Sequence, residues 1–297
     1  MLLVTEIVFL IVFWSWAVCA AVFLRQTLVR RTLQAEPVTP ELFSLPAEPI
    51  TFPATDGARL AGWAIRSDDP ERAWIICCHG LEHSAGSLLE VALGLHMAGF
   101  NLLLFDFRGH GASAGRTTSF GWTEQRDLEG ALAYLGRLND VPARPYGVYG
   151  VSMGAAVALL VGARDERIGA VVADSPYANL REMLAGYLKA RYPYAPRWPV
   201  LAYLELTYRL RYGAWPSRVA PERAAREFQE RRLLLIGGTE DKRTPSEGLR
   251  KIAAAVKGGS AQLWLVPKSG HLESFSANRR RYLERVAGFL DGAVAQV

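Results

Sequence analysis

A serine between two glycines stands near the middle of the chain, where the sequence reads YGVSMGAA. Residues 150–154 match the pattern G-x-S-x-G, and apolar runs precede and follow them. Ser152 can be a nucleophile held on a strained strand-to-helix turn. It can equally be the residue that caps the N-terminus of the following helix. The pattern alone leaves both interpretations open.

A serine hydroxyl is a weak nucleophile, so it needs a base, and the base needs an acid that orients it. His271 in KSGHLESF and Asp241 in GGTEDKRTP each follow an apolar run that predicts a strand. Residue type, the chain order Ser152, Asp241, His271, and the position after a strand together predict a catalytic triad. Glu240, beside Asp241, is the competing acid.

The reaction of such a serine also needs two backbone N–H donors for the oxyanion. We expect one from Met153, the residue after the serine, and the other from Leu81, which follows His79-Gly80 in HGLEHSAG. His79 and His83 are spaced four apart, but this glycine-containing stretch fits a metal-binding helix poorly. The sequence therefore predicts no metal site. The chemistry expected of the serine needs no organic cofactor.

Short apolar runs alternate with helical patterns from Ile50 onward, and these elements must position the reactive residues. Strands that are apolar throughout and alternate with helices predict an α/β fold, with a mostly parallel central sheet and helices on both faces. Ligand sites in such sheets lie beyond the carboxyl ends of the strands. The polar residues just after predicted strands are His79, Asp106, Ser152, Asp174, Asp241 and His271.

The composition is that of a globular protein: 297 residues, 50% of them hydrophobic and 21% charged. The net charge is +5, but no nucleic-acid motif and no lysine-rich run is present, so no nucleic-acid partner is expected. Of the three cysteines, Cys77 and Cys78 are adjacent on a predicted strand and should face opposite sides of it. No disulfide framework is expected.

The N-terminal residues 2–24 are almost entirely apolar, and the basic stretch RQTLVRR follows them. The uninterrupted run from Ile7 to Leu24 has 18 residues, close to the roughly 20 that cross a hydrocarbon core. We expect residues 1–31 to be a retained transmembrane helix with a basic flank, and the catalytic part to lie in the cytoplasm. The proline-containing residues 32–49 then form a linker.

Seven stretches of the chain resemble the α/β-hydrolase superfamily. They are similar to membrane-anchored alpha/beta-hydrolase-domain proteins and to the serine-aminopeptidase or monoacylglycerol-lipase-like group, and they cover about residues 50–291 in family order. The stretches are CCHGLEHSAGS, FDFRGHGASAG, FGWTEQRDLEGALAYL, YGVSMGAA, ADSPYANL, LLLIGGTEDKRTP and SGHLESF.

The resemblance implies an α/β-hydrolase fold, with Ser152, Asp241 and His271 as the triad and the amides of Leu81 and Met153 as the oxyanion hole. It makes Asp106 and Arg108 structural residues that organise a loop near the site. It also gives Asp174 as the alternative position of the acid in this fold.

The segment from 177 to 216 is rich in tyrosine, tryptophan and arginine. We interpret it as a helical cap inserted into a core made of residues 50–176 and 217–297. In similar proteins the cap shapes the substrate pocket. Ordinary helical packing around aromatic residues is the alternative interpretation of this segment.

The function expected from these residues is that of a serine hydrolase that cleaves a carboxylic ester through an acyl-enzyme on Ser152. The expected substrate is a small-molecule or lipid ester, and the predicted membrane anchor favours a lipid-derived or other apolar ester. An acyltransferase, an amide or peptide hydrolase, and a non-catalytic membrane-tethered scaffold are the alternatives. The sequence leaves the acyl-chain length and the oligomeric state open.

Overall fold

The structure is a computed structural model that describes residues 4–7, 38–138, 141, 145–194, 197–228, 231–259 and 261–294. The strands are β1 (Ala47–Pro53), β2 (Arg59–Ile65), β3 (Trp74–Cys78), β4 (Asn101–Phe105), β5 (Tyr146–Val151), β6 (Ile168–Asp174), β7 (Arg232–Gly238) and β8 (Ala261–Val266). The helices are α1 (Leu89–Met97), α2 (Gln125–Leu135), α3 (Met153–Gly162), α4 (Leu180–Arg191), α5 (Arg197–Tyr212), α6 (Pro221–Ala224), α7 (Ser246–Ala255), α8 (Ser274–Ala277) and α9 (Arg279–Val294).

In the described part of the chain, the strands form one sheet in the order β1-β2-β4-β3-β5-β6-β7-β8. Strand β2 pairs with β1 and with β4 in antiparallel orientation. Every pairing from β4 through to β8 is parallel. The mostly parallel sheet predicted from the sequence is confirmed, and its parallel strands bring their carboxyl ends to one edge.

Helices cover both faces of this sheet, as expected. Helices α2, α3 and α7 pack on one face, and α1 and α9 pack on the other. Successive strand residues alternate between the two faces, so Cys78 belongs to the first core and Cys77 to the second. Both cysteines are buried free thiols, and burial raises the pKa of the Cys77 thiol to about 12.

The first strand begins at Ala47, inside the segment that the sequence assigned to a linker. Prolines suggested a linker there, but β1 is the edge strand, where a residue without an N–H can be tolerated. Pro49 and Pro53 pair in register with Trp63 and Arg59 of β2. The predicted start of the core at Ile50 therefore lies inside β1.

Helices α4 and α5 lie within the predicted cap, between β6 and β7. Three tyrosines tie this segment to consecutive backbone carbonyls of one core loop. Tyr212 donates to the carbonyl of Thr118 at 2.8 Å, and Tyr208 donates to that of Ser119 at 2.7 Å. Tyr177 donates to the carbonyl of Phe120.

The same loop is also hydrogen-bonded to the carboxylate of Glu124, which is completely buried. Glu124 Oε1 accepts from Thr118 Oγ1 at 2.9 Å and from the Ser119 amide at 2.8 Å. Its Oε2 accepts from Ser119 Oγ at 2.5 Å and from the Gly121 amide at 2.8 Å. Since Thr118 Oγ1 also lies 3.5 Å from Met153 Sδ, this loop connects the α4–α5 segment to the start of α3.

The predicted localisation, a single-pass membrane protein with a cytoplasmic catalytic part, is corrected by the structure. Among the residues it describes, no helix is both long and apolar enough to cross a membrane. The longest described helices have 16 residues, about 24 Å against a hydrocarbon core of about 30 Å. The predicted anchor in residues 1–31 lies outside the described residues except for 4–7, as does 32–37 of the predicted linker.

Candidate active site

Ser152 lies on a sharp turn between β5 and α3, at the carboxyl edge of the sheet. Its backbone has φ 51° and ψ −113°, a conformation that residues with side chains rarely adopt. The neighbouring glycines make the turn possible. A Cβ on Gly150 would lie 2.5 Å from the Gly154 carbonyl oxygen, and a Cβ on Gly154 would lie 2.2 Å from that of Cys78.

The side chain of Ser152 does not cap the helix that follows it. Ser152 occupies the N-cap position of α3, but its hydroxyl makes no capping hydrogen bond. Its Oγ instead lies 3.0 Å from Nε2 of His271. The helix-cap interpretation therefore fits the position of Ser152 along the chain but not the direction of its hydroxyl.

His271 and Asp241 lie beyond β8 and β7 and complete a hydrogen-bonded row with Ser152. Nδ1 of His271 is 2.8 Å from Oδ2 of Asp241. The histidine side chain is 13% exposed and the aspartate side chain 1% exposed. The structure thus brings together all three residues of the predicted triad, whose catalytic roles stay a prediction.

The carboxylate of Asp241 is surrounded by hydrogen-bond donors. Oδ1 accepts from the amides of Arg243 and Thr244, each at 2.8 Å, and Oδ2 accepts from Thr244 Oγ1 at 2.7 Å. Burial raises the pKa of Asp241, but the hydrogen bonds from His271 and Thr244 outweigh burial, so the pKa lies below its ordinary value. Asp241 is therefore held ionised beside His271.

The two competing acids have different surroundings. Glu240 is exposed to solvent, and no hydrogen bond joins its side chain to His271 in the described structure. Asp174 is buried, and its oxygens accept from Ser175 Oγ at 2.8 Å and Tyr282 Oη at 2.7 Å. Burial raises the pKa of Asp174 above its ordinary value. Of the three carboxylates, Asp241 is the one in contact with His271.

The two residues whose amides are predicted to form the oxyanion hole are both near Ser152. Met153 is the first residue of α3, where N–H groups have no partner within the helix. Leu81 follows Gly80, and a Cβ on Gly80 would lie 3.3 Å from Cβ of Ser152. The loop that carries the Leu81 amide therefore runs directly beside the serine.

His79 fixes the peptide that joins Gly80 to Leu81. The Phe107 amide donates to His79 Nε2 at 2.9 Å, so this nitrogen carries no proton. The proton is then on Nδ1, which donates to the Gly80 carbonyl at 2.7 Å. Because a trans peptide points its C=O and N–H in opposite directions, the hydrogen bond to the Gly80 oxygen sets the direction of the Leu81 N–H.

Both ring nitrogens of His79 are thus used within the protein. Burial lowers the pKa of His79 well below its usual range, and the neighbouring His110 adds to this effect. In the described ranges, no group of three or more histidine, cysteine, aspartate or glutamate side chains could hold a metal ion. In the sequence, His79 stood out as a polar residue just after a predicted strand and as one half of the poorly spaced His79–His83 pair, but neither pattern indicated its contacts with Gly80 and Phe107.

Asp106 and Arg108 connect the loops around the site, in agreement with the structural role predicted for them. Asp106 accepts from the Ala85 amide at 2.8 Å and from the Ala112 amide at 2.8 Å. Arg108 forms ion pairs with Asp127 and Asp56. Its hydrogen bonds hold the pKa of Asp56 far below the ordinary value.

A mostly parallel sheet with helices on both faces and a serine on a strand-to-helix turn defines the α/β-hydrolase class of fold. The family described as "Serine aminopeptidase, S33" matches residues 69–232, more than half of the 297-residue chain. The chain belongs to this family and is a hydrolase. The predicted superfamily and enzyme class are therefore confirmed, and the membrane-anchored subgroup is not.

Curated relatives match a larger share of the chain than the family model does. The uncharacterized protein YqkD of Bacillus subtilis is 32% identical over 82% of this chain and 78% of its own length. The uncharacterized protein Rv2307c of Mycobacterium tuberculosis is 30% identical over 86% of this chain and 84% of its own. Among solved structures, the esterase Pf2001 of Pyrococcus furiosus superposes with a TM-score of 0.74 at 24% identity, covering 90% of this chain and 99% of that one.

Proposed function

We propose that this protein hydrolyses carboxylic esters through an acyl-enzyme on Ser152. Ser152 Oγ attacks the acyl carbon while its proton passes to Nε2 of His271. The amides of Met153 and Leu81 bind the oxyanion, and His271 returns the proton to the leaving alcohol. A water molecule, deprotonated by His271, then attacks the acyl carbon, and the acid is freed as His271 passes that proton to Ser152 Oγ.

One observation carries this proposal: the hydroxyl of Ser152 points to His271 and not to the helix that it precedes. The distance from Oγ to Nε2 is 3.0 Å, within the reach that a general base needs. Asp241 accepts from the opposite nitrogen of the ring at 2.8 Å. This contact favours the tautomer with a free Nε2, and the ionised carboxylate would stabilise the imidazolium that forms.

We assign residues 177–216 as a cap over this site, inserted into a core that runs from β1, which begins at Ala47, to residue 176 and resumes at residue 217. In support, the side chain of Leu81 packs against the same apolar cluster as Met183 and Leu184 of α4. That cluster also includes Ala156 and Leu160 of α3. A substrate whose carbonyl oxygen reaches the Leu81 amide would thus approach between core and cap.

An ester is favoured over an amide because an alcohol leaves more easily than an amine. The esterase name of the Pyrococcus furiosus protein supports the same choice. The description "Serine aminopeptidase" of the matching family makes peptide hydrolysis the second candidate. Transfer of the acyl group to an alcohol, and a scaffold role without catalysis, would use the same fold without ester hydrolysis.

A fluorophosphonate probe, which phosphonylates activated serines, tests the proposal. We expect the wild-type protein to be labelled and Ser152→Ala to lose both labelling and esterase activity, by about 10⁴-fold or more. Ser276→Ala is the matched control, since Ser276 is exposed and donates only to the Glu273 carbonyl. Folded wild-type protein that stays unlabelled would support the scaffold instead.

The candidate reactions are separated by their substrates. p-Nitrophenyl esters from acetyl to palmitoyl, and aminoacyl p-nitroanilides, should be compared under the same conditions. We expect the esters to be cleaved faster than the anilides. Faster cleavage of the anilides would favour the peptidase, and glycerol esters formed in the presence of glycerol would favour the acyltransferase.

A further inference from the structure

The hydroxyl of Thr244 lies against both the acid and the base of the proposed triad. Thr244 Oγ1 is 2.7 Å from Oδ2 of Asp241 and 3.2 Å from Nδ1 of His271. Since Asp241 and His271 are themselves 2.8 Å apart, the three atoms form a closed triangle. Thr244 is 6% exposed, so water has little access to its hydroxyl.

The protons available in this triangle decide which atom donates to which. The Thr244 hydroxyl has one proton, and its acceptors are Asp241 Oδ2 at 2.7 Å and the Ser175 carbonyl at 3.2 Å. The shorter distance assigns that proton to Asp241. If Nε2 of His271 receives the proton of Ser152, Nδ1 must already carry one. That N–H faces both Asp241 Oδ2 and a lone pair of Thr244 Oγ1.

We propose that Thr244 is a positioning residue that holds the carboxylate of Asp241 and the Nδ1–H of His271 in the geometry the proton transfer requires. This inference rests on the proposed function. The hydroxyl donates to Asp241 Oδ2 and so fixes the rotation of the carboxylate. Its oxygen accepts a second, longer hydrogen bond from the histidine, which strengthens when the ring becomes positively charged.

The proposed role belongs to the hydroxyl of Thr244 and not to its backbone amide. The Thr244 amide also donates to Asp241, at 2.8 Å to Oδ1, and it is present whatever the side chain is. Substitution of the side chain therefore removes one donor to Asp241 and keeps the other. A change in the hydroxyl should affect the chemical step and leave substrate binding unchanged, because Thr244 faces His271 on the side away from Ser152.

The test compares Thr244→Val, which keeps the shape and loses the hydroxyl, with Thr244→Ser, which keeps the hydroxyl. We expect Thr244→Val to lower kcat on a p-nitrophenyl ester by about tenfold, the scale of one hydrogen bond to a charged group. KM should stay within about twofold of the wild type, and Thr244→Ser should keep most of the wild-type kcat. Thr207→Val is the matched control, because its hydroxyl donates only within α5, to the Tyr203 carbonyl at 2.9 Å.

A double-mutant cycle with Asp241→Asn distinguishes positioning from general packing, using the rate of fluorophosphonate labelling as the readout. If Thr244 acts through the Asp241–His271 pair, its substitution should cost much less in the Asp241→Asn protein than in the wild type. Equal losses in both backgrounds, a kcat of Thr244→Val within twofold of the wild type, or equal losses in the valine and serine variants would overturn the proposal.

Thr244→Ala provides the same comparison if the valine variant does not fold, since alanine also lacks the hydroxyl and is smaller. The wild-type labelling separates this inference from the function on which it rests. Labelled wild type with an unaffected Thr244→Val contradicts the role of Thr244 alone. Folded wild type without labelling removes both the proposed triad and the role of Thr244.

Discussion

The direction of the Leu81 N–H depends on the hydrogen bonds to the Gly80 carbonyl, and the one from His79 is shorter than the one from the His83 amide at 3.3 Å. The Nδ1–H of His79 donates to the Gly80 carbonyl at 2.7 Å, and this peptide carries the Leu81 amide on its other side. A rotation of this peptide would change the direction of the Leu81 N–H while the triad stays intact. His79 is thus a positioning residue for the proposed oxyanion hole and makes no contact of its own with substrate.

We expect His79→Phe to lower kcat by about 10²-fold with little change in KM, the usual scale for losing one oxyanion donor. The variant also leaves the Phe107 amide without its acceptor, so some loss of stability should accompany the loss of rate. Kinetics with a p-nitrophenyl ester on the folded protein measure the effect. His96→Phe is the control, because Nδ1 of His96 is buried and has no hydrogen-bond partner among the described residues. Equal kcat values for the two variants would contradict the role of His79.

The adjacent carboxylates Glu240 and Asp241 provide a second matched pair. Asp241→Asn should lower kcat by about 10³–10⁴-fold, because the amide that replaces the carboxylate no longer fixes the tautomer of His271 or stabilises its charge. Glu240→Gln should stay near wild-type activity, since Glu240 is exposed. Ester hydrolysis by the two purified variants makes the comparison. A larger loss in Glu240→Gln would reverse the assignment of the acid.

The sequence could predict that Ser152, Asp241 and His271 lie together. Each follows a strand, and parallel strands bring their carboxyl ends to one edge of the sheet. It could not identify Thr244 or His79 as positioning residues. The contacts of Thr244 depend on the fold of the turn after β7, and those of His79 depend on Phe107, which belongs to a different loop. Neither the contact of Thr244 with His271 nor that of His79 with Phe107 follows a periodicity or spacing that the sequence shows.

Among the elements of the fold, the loop from Thr118 to Gly121 connects the α4–α5 segment to the core through hydrogen bonds. Tyrosines of the segment donate to its carbonyl groups, and the buried Glu124 accepts from its amide and hydroxyl groups. Nothing in the sequence indicated that this carboxylate faces inward. The sequence also predicted too late a start for the first strand, because proline is as compatible with an edge strand as with a linker.

Glu124→Gln should lower the free energy of unfolding by about 2–4 kcal/mol. The carboxylate accepts four hydrogen bonds through two oxygens, whereas a glutamine has one accepting oxygen and an NH₂ group that would face two of the donors. Glu129→Gln is the control, because Glu129 pairs with a half-exposed Arg164 and such pairs contribute at most about 1 kcal/mol. Urea unfolding of both variants measures the difference, and equal stabilities would show that Glu124 does not anchor the loop.

For the whole molecule, the buried titratable groups determine how stability depends on pH. Burial lowers the pKa of His79 well below the usual range, while burial raises the pKa of Asp174. Between about pH 6.5 and pH 5, His79 binds a proton in the unfolded chain but stays neutral in the folded protein. The free energy of unfolding therefore decreases as the pH falls through this range. Asp174 acts in the opposite direction, because its folded form binds a proton more readily than the unfolded chain does.

The contribution of His79 can be isolated with His79→Gln, which keeps one donor and one acceptor but does not titrate. The wild-type free energy of unfolding should fall by up to about 1.4 kcal/mol per pH unit more steeply than that of the variant between pH 6.5 and pH 5. Asp174 is present in both proteins, so its opposing contribution cancels in the difference. Urea unfolding at several pH values measures the two slopes. Parallel slopes would mean that His79 is protonated as readily in the folded protein as in the unfolded chain, which its hydrogen bonds to the Phe107 amide and the Gly80 carbonyl do not allow.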